Sequence, residues 1–514
     1  MKKEKQIVHI AYEVAPFYKN GGLGDVVSAL PQFLSKEYNN VVISFYYKGM
    51  MNHFNNYISN DFFVEIRGVE YKFKYYYFRK NEVEYYFLNM EDEYVFCNFG
   101  FSSLNGNNPY KNLSSVIIFL YFGKAALMLI QLRIPNVTHI ICHDWHAAGI
   151  FAFPSILKTI KANYNNNILS FTLIHNYGYQ GCIFEDILPF LEEETLMLIK
   201  DLYNRYGFAT MLGLGIDQSD SILTVSQNYA KELKEGSLPH ENLKFVSQSK
   251  KKIVGLLNGV DYKIWHPSNS PYLKDNFNIN SKGEKIKFKK EVFKNCGFKY
   301  KKIKDTPLIL YMCRLSEQKG INLFYDAYDK NQETSIAFFK KYLDLGFTFV
   351  MYGAPAGGLN GKIHEALTLI SQKFNGSFYY DPNYNEKDAH NYLASADIVL
   401  LPSLFEPCGL VQLYSMAFGA VPVVRPVGGL KDTVRCFFET NVEPTGFYIK
   451  SNSRECLYDT TKKVIEIYKN HPDIWEQIQI NAMKQDFSWD KNIQDYFSLF
   501  EDMEINKTLI NETA

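Results

Sequence analysis

Short, unbroken apolar runs rich in β-branched residues recur along this chain of 514 residues, and few folds accept them. "IVHIAYEV", "VVISFYY", "VTHIICHD", "ILSFTLIHN" and "DSILTVS" punctuate the first half, with longer stretches of helical pattern between them. A strand that is apolar on both faces must be covered on both faces, and the intervening helices supply the cover. The pattern predicts a parallel sheet between helical layers. It breaks off between Tyr262 and Thr306, where "PSNSPYLKDNFNINSKGEKIKFKKEVFK" turns polar and carries one charged helix. A second series follows in "PLILYMCRL", "FTFVMYG", "GSFYYD", "DIVLLPS" and "AVPVVRP". Two such series predict an α/β chain of two doubly wound domains facing across a deep cleft. Their expected extents are 1–260 and 306–484, with 261–305 as the linker.

Composition narrows the function classes. Lys plus Arg and Asp plus Glu both number 55, so no basic excess points to nucleic acid or to an anionic membrane. Eight cysteines lie scattered without a CxxC pair, which favours reduced thiols in a cytoplasmic protein over disulfides or a zinc site. The lead-in "MKKEKQ" is too short for a signal peptide, and no run of about 18 apolar residues is expected to span a membrane. Tyr (38) and Phe (40) are abundant, which reflects either compositional bias or a carbohydrate-binding surface.

In open α/β sheets ligands lie at the carboxyl ends of strands, so the loops that follow the strands carry the chemistry. The first is Lys19-Asn20-Gly21-Gly22-Leu23-Gly24-Asp25, ahead of a helix. Its glycines allow close backbone approach and its helix amides attract anions, although a plain glycine-rich turn reads the same way. It matches neither G-x-G-x-x-G nor the P-loop pattern, which weakens dehydrogenase and NTPase readings. "ICHDWHAAG" sets His143, Asp144, Trp145 and His146 past a strand. The H-x-x-H spacing has no evident third metal ligand, whereas a carboxylate beside an indole suits a sugar. His175 and Asn176 end another strand, as a structural pair or a functional one. In the second half Arg314 and Lys319 flank a strand-to-helix turn and fit a diphosphate, unless they form only a solvated loop. Glu406 follows a strand, and Pro407-Cys408-Gly409 are expected to open a helix whose amides hold phosphate. Cys408 is expected to be a packed or capping thiol.

Taken in order, "YKNGGLGDV", "HDWHAA", "HNYGYQG", "LTVSQNYAKEL", "NGVDYKIWHP", "RLSEQKGI", "FEPCGLVQLYSMAFGAVPVVRPVGGLKDTV" and "DFSW" resemble the bacterial glycogen synthase and plant starch synthase family, glycosyltransferase family 5. The resemblance runs nearly end to end. It implies a GT-B fold of two Rossmann-like domains, with a helix in 485–514 crossing back to the first domain. It implies transfer of glucose from a nucleotide diphosphate glucose to the non-reducing end of an α-1,4-glucan (glycogen or starch), with the α configuration retained. ADP-glucose is the expected donor ahead of UDP-glucose, and no metal or other cofactor is implied. Lys19, Gly21 and Gly22 would meet the donor phosphates from one domain, Arg314 and Lys319 from the other. Cys408, Gly409 and Leu410 would add amides. Asp144, Asn176 and Asn258 would contact the glucose, and the His175 carbonyl would face its anomeric carbon. Glu406 matches the essential carboxylate of the family, Tyr384 a base-stacking tyrosine, and Asp25 and Trp145 fall on the acceptor side. Three positions depart: Val411 replaces a common Thr, Gly213 a common Lys, and "FLNMEDEYVF" lacks an Asp-His-Pro turn. These departures motivate an alternative, a non-catalytic glucan-binding scaffold.

Overall fold

The computed structural model describes residues 4–47, 50, 56–90, 115–164, 167–240, 242–299, 302–329, 331–356, 360–440 and 442–513. The chain forms two compact units, Met1–Leu257 with Trp489–Ala514, and Asn258–Ser488.

The first unit holds strands β1 (Gln6–Ile10), β2 (Asn39–Phe45), β3 (Ile58–Ile66), β4 (Val69–Lys80), β5 (Val83–Met90), β6 (Val137–His143) and β7 (Leu169–Ile174). A separate two-stranded ribbon pairs β8 (Cys182–Ile183) with β9 (Ala209–Thr210), and β10 (Ser221–Thr224) and β11 (Ile253–Gly255) complete the unit. The main sheet runs β11-β10-β7-β6-β1-β2-β5-β4-β3. Its central strands pair in parallel and are buried nearly throughout, as their unbroken apolar runs require. The β3–β4 edge is different, because β4 runs antiparallel to both β3 and β5. Two-residue turns at Arg67-Gly68 and Asn81-Glu82, all four residues at positive φ, make these hairpins. There Phe62, Val64 and Ile66 point inward while Phe63 is exposed, the period-two pattern of a sheet with one wet face.

Helix Ser115–Arg133 corrects one expectation. Its window Val116–Arg133 is long and apolar enough to cross a membrane, yet 67% of that window is buried within the protein. The run is apolar on every side because this helix is a core element. The last helix, Trp489–Thr513, packs on the first unit, with Ile493, Tyr496 and Phe500 fully buried. Phe500 meets His139, Phe171 and Tyr38, and Trp489 stacks on Phe33.

The second unit is built on β12 (Leu308–Met312), β13 (Thr348–Tyr352), β14 (Phe378–Asp381), β15 (Ile398–Leu401), β16 (Val421–Val424) and β17 (Phe447–Tyr448). Its sheet is parallel throughout, in the order β14-β13-β12-β15-β16-β17. Alternate residues of β12 enter opposite cores: Ile309 and Tyr311 one, Leu308, Leu310 and Met312 the other. Residues 261–305, expected as a linker, belong to this second core. Trp265, Phe277, Phe288, Val292 and Phe293 pack with the β12 residues, and Trp265 stacks on Tyr414 at 4.1 Å. The polar composition of this segment hid an apolar stripe on its helix, Lys285–Asn295.

Candidate functional site

Among the parallel strands of each sheet the order reverses once. The reversal lies between β1 and β6 in the first unit and between β12 and β15 in the second. Lys19, Asp144, Arg314, Lys319 and Glu406 lie on the loops leaving these strands, where open α/β sheets bind ligands. His175 and Asn176 follow β7, Asn258 follows β11 and Tyr384 follows β14.

In the first unit, Lys19 leaves the β1 loop and forms an ion pair with Asp25 (2.7 Å), in the first turn of helix Gly22–Leu34. Gly21 caps that helix in extended backbone. Sequence reasoning missed Glu13. This buried carboxylate accepts the amides of Asn20 (2.5 Å) and Gly24 (2.9 Å), so it braces the glycine loop on both sides of Gly21-Gly22. An acid just past a strand and ahead of a Gly-Gly helix start was the available signal. Glu406 likewise stands a few residues past a strand.

Asp144 follows β6 at φ +59°, a left-handed conformation that a non-glycine residue holds only under tertiary constraint. Its Oδ1 accepts the amides of His175 (2.7 Å) and Asn176 (3.3 Å), which ties the β6 loop to the β7 loop. Burial raises its pKa to about 7, the two amides oppose that rise, and the Glu13 charge adds to it. His175 is held at its ring as well, with Nε2 2.9 Å from His143 Nδ1. Burial lowers the His175 pKa to about 3. Asn176 turns its carbonyl oxygen to the Gly178 amide (3.0 Å).

Trp145 requires a correction. Its indole is 3% exposed, stacked on His146 (4.1 Å), set edge-on to Phe119 and closed over by the Gly181 backbone. It is a core side chain and offers no platform to an acceptor. The two histidines of H-x-x-H diverge: His146 stacks on Tyr12 (3.7 Å), while His143 faces His9 and His175. Among the described residues, no three His, Cys, Asp or Glu side chains are grouped to hold a metal ion.

In the second unit, Glu406 follows β15 and is 6% exposed. Its Oε2 lies 2.5 Å from Lys319 Nζ and accepts the Ser403 hydroxyl at 3.0 Å. Lys319 ends a short 3-10 turn whose backbone is fixed by Tyr311 Oη on its carbonyl (2.8 Å). Arg314 is exposed on the same loop after β12. Arg314, Lys319 and Glu406 all act electrostatically on the Cys313 thiol among them, which burial pushes up to about 12. Sequence positions 314, 319 and 406 therefore share one locality across the strand-order reversal.

Cys408 is buried, with its pKa pushed up to about 12, and its sulfur is hydrogen-bonded by the backbone and side chain of Asn258. A thiol so placed is inert, as expected. The helix expected to open at Pro407 begins instead at Val411, with Leu410 as its cap. The cause lies at Gly409, whose φ of +72° is incompatible with a helical turn. Buried Gln412 bonds back to the carbonyls of Cys408 (3.0 Å) and Gly409 (2.8 Å) and fixes the loop shape. Tyr384 is half exposed beyond β14, its ring 5.5 Å from that of Tyr352.

The departures noted in the sequence have local explanations in part. A Cβ at Gly213 would lie 2.6 Å from the Phe245 ring, so Phe245 occupies the space a lysine stem would need. Of "FLNMEDEYVF", residues up to Met90 complete β5 and the rest lies outside the described residues. Nothing in the structure explains Val411.

Comparison with known proteins covers almost the whole chain. A family profile described as "Starch synthase catalytic domain" matches residues 6–246, and one described as "Glycosyl transferases group 1" matches 293–481. The chain is 30% identical to the glycogen synthase of Thermodesulfovibrio yellowstonii, covering 96% of each protein. It is also 30% identical to that of Lactococcus lactis, covering 97% of this chain and 100% of the other. Among solved structures it is similar to the catalytic domain of starch synthase IV from Arabidopsis thaliana, bound to ADP and acarbose. That match has a TM-score of 0.82 and 26% identity over 97% of this chain and 99% of that one. The sucrose-phosphate synthase of Thermosynechococcus elongatus, 14% identical with a TM-score of 0.59, shares the fold.

Proposed function

This chain belongs to the glycogen synthase and starch synthase family, and from that membership we propose that it lengthens an α-1,4-glucan at its non-reducing end with ADP-glucose as donor. It is a GT-B glucosyltransferase acting on a glucan. The observation that carries the residue assignments is the ion pair of buried Glu406 with half-buried Lys319, with Arg314 nearby, at the reversal of strand order in the second unit.

Breaking the bond to a nucleoside diphosphate places negative charge on the leaving phosphate and positive charge on the sugar. Fixed cations near the first and a fixed carboxylate near the second lower that barrier without reorganising solvent. In the second unit Arg314 and Lys319 receive the diphosphate, with the Cys408–Leu410 amides beside them, and Tyr384 stacks on the base. Glu406 orients sugar hydroxyls and offsets the cationic sugar, while Asn258 lies next to it through Cys408. In the first unit Lys19, Gly21 and Gly22 offer a further phosphate contact, and Asp25 tethers Lys19 until an anion competes for it. Asp144 and Asn176 accept sugar hydroxyls, and the His175 carbonyl faces the anomeric centre, with the α configuration retained. These cations do the work a metal ion would otherwise do. ADP as the nucleotide is supported by the starch synthase structure that binds it. A cytoplasmic setting fits the cysteines, none of which forms a disulfide among the described residues.

The test pairs glycogen with labelled ADP-glucose or UDP-glucose. ADP-glucose is expected to be the better donor, and Glu406→Gln and Lys319→Ala to lower kcat by roughly 10²–10³, the scale of losing one transition-state partner. Wild-type turnover in both variants would sink the assignment. Glucan binding without diphosphate release by the unaltered protein would favour the scaffold reading.

A further inference from the structure

Beneath the first unit's loops, side chains from β2, β1, β6 and the end of β7 form one hydrogen-bonded line. Asn40 Oδ1 lies 3.1 Å from His9 Nε2, His9 Nδ1 3.1 Å from His143 Nε2, and His143 Nδ1 2.9 Å from His175 Nε2. Asn40, His9 and His143 are at most 1% exposed.

The polarity of this line is determined at its far end. The Ser35 hydroxyl donates to the Pro31 carbonyl (2.8 Å), so its oxygen is left to accept. The Asn40 amide donates to that oxygen (3.3 Å) and to the Tyr38 carbonyl (3.1 Å), which turns Oδ1 toward His9. His9 must therefore carry its proton on Nε2. A neutral imidazole has one donor and one acceptor, so His9 Nδ1 accepts from His143 Nε2–H, and His143 Nδ1 accepts from His175 Nε2–H. We propose that Asn40, His9 and His143 are positioning residues that hold His175 as the neutral Nε2–H tautomer, with Nδ1 as the lone-pair nitrogen of its ring.

Burial supports the neutral forms. His9 is lowered to about 4, His143 well below its ordinary value, and His175 to about 3. The main chain of His175 is anchored separately by the Asp144 carboxyl group, so ring and backbone are fixed from two sides. The consequence for catalysis rests on the glucosyl-transfer reading. A transferring sugar develops oxocarbenium-like positive charge. An imidazolium beside it would oppose that charge, and a line of neutral rings removes the opposition while keeping the His175 peptide in place.

The experiment uses the full chain labelled with ¹⁵N-histidine at pH 7, with His175 assigned by its loss in His175→Gln. The wild-type protein is expected to show His175 as Nε2–H; an Nδ1–H or doubly protonated ring overturns the proposal whatever the activity. His9→Phe keeps the ring volume but removes the acceptor for His143, so it is expected to shift the His175 tautomer and lower kcat about tenfold with little change in KM for the sugar nucleotide. His9→Gln, which restores one acceptor and one donor, is expected to recover most of that loss. A His9→Phe protein with lower kcat and an unchanged His175 tautomer would reduce the line to packing and overturn the proposal. Should His9→Phe fail to fold, the wild-type tautomer decides alone. If the wild-type chain transfers no glucose yet shows the Nε2–H tautomer, the functional reading falls and the tautomer assignment stands.

Discussion

A methyl group at position 428 would lie 1.9 Å from the Glu406 carbonyl oxygen, on a backbone with φ +43°. Gly429 in turn donates its amide to that same carbonyl (3.0 Å). The Gly-Gly pair thus lets one loop lie directly on the backbone that carries Glu406. Gly428→Ala is expected to cost about 2–4 kcal/mol, from overpacking and an unfavourable φ together, and to depress kcat by displacing Glu406. Denaturant midpoints and turnover would check both, and a stable, fully active variant would refute the close-approach argument. Glu406, Lys319 and Arg314 were legible in sequence because charged residues directly after apolar runs stand out against their surroundings. Glu13 carried a local signal, its place just past a strand and ahead of the glycine loop, that went unread. His9 and Asn40 were not legible, since each is a polar strand residue whose partner arrives only through tertiary contact. Trp145 was misread for the complementary reason. An indole next to a carboxylate looks the same in sequence whether its face is open or packed.

Strands and helices followed the hydrophobic period wherever an element is buried on both faces, as β1, β6 and β12 are. The β3–β4 edge was missed because its Tyr- and Lys-rich alternation describes a strand with one wet face, and its turns lack the Asn-Gly or Asp-Gly pair that marks such hairpins most clearly. Where the strands of the first unit and the turns that follow them carry histidines, they also carry a response to acid. His9, His139, His143, His146 and His175 all have folded pKa values below the ordinary 6.5 because burial disfavours the imidazolium. Below pH 6.5 the unfolded chain binds protons that the folded chain refuses, so stability present at neutral pH is lost as pH falls toward about 4. His9 alone accounts for ~3 kcal/mol of this loss. Asp144, raised to about 7, acts in the opposite direction, gaining stability as pH falls from 7 toward 4, but it is one group against five. Urea midpoints are expected to drop between pH 7 and pH 5, and less steeply in His9→Gln. A flat profile would contradict the neutral, buried assignment.

On the scale of the whole chain, the first unit is discontinuous, and its final helix covers His139 and Phe171 with Phe500. Residues 1–257 expressed alone are therefore expected to aggregate, and co-expression with 489–514 to restore a soluble, cooperatively unfolding species, as size-exclusion chromatography and thermal scans would show. Residues 258–488 are expected to fold alone, since they carry both faces of their own sheet and their ends meet. Val260 pairs with Ser488, and its amide donates to the Phe487 carbonyl at 2.7 Å. That meeting of ends has a kinetic consequence. Before the second unit folds, docking the last helix on the first unit closes a loop of over two hundred flexible residues. Once it has folded, the same closure spans only the few residues outside the Val260–Ser488 pair, a saving of roughly 3 kcal/mol in chain entropy. The order of assembly is thereby biased toward the middle of the chain first, with the two ends joining last around a finished insert.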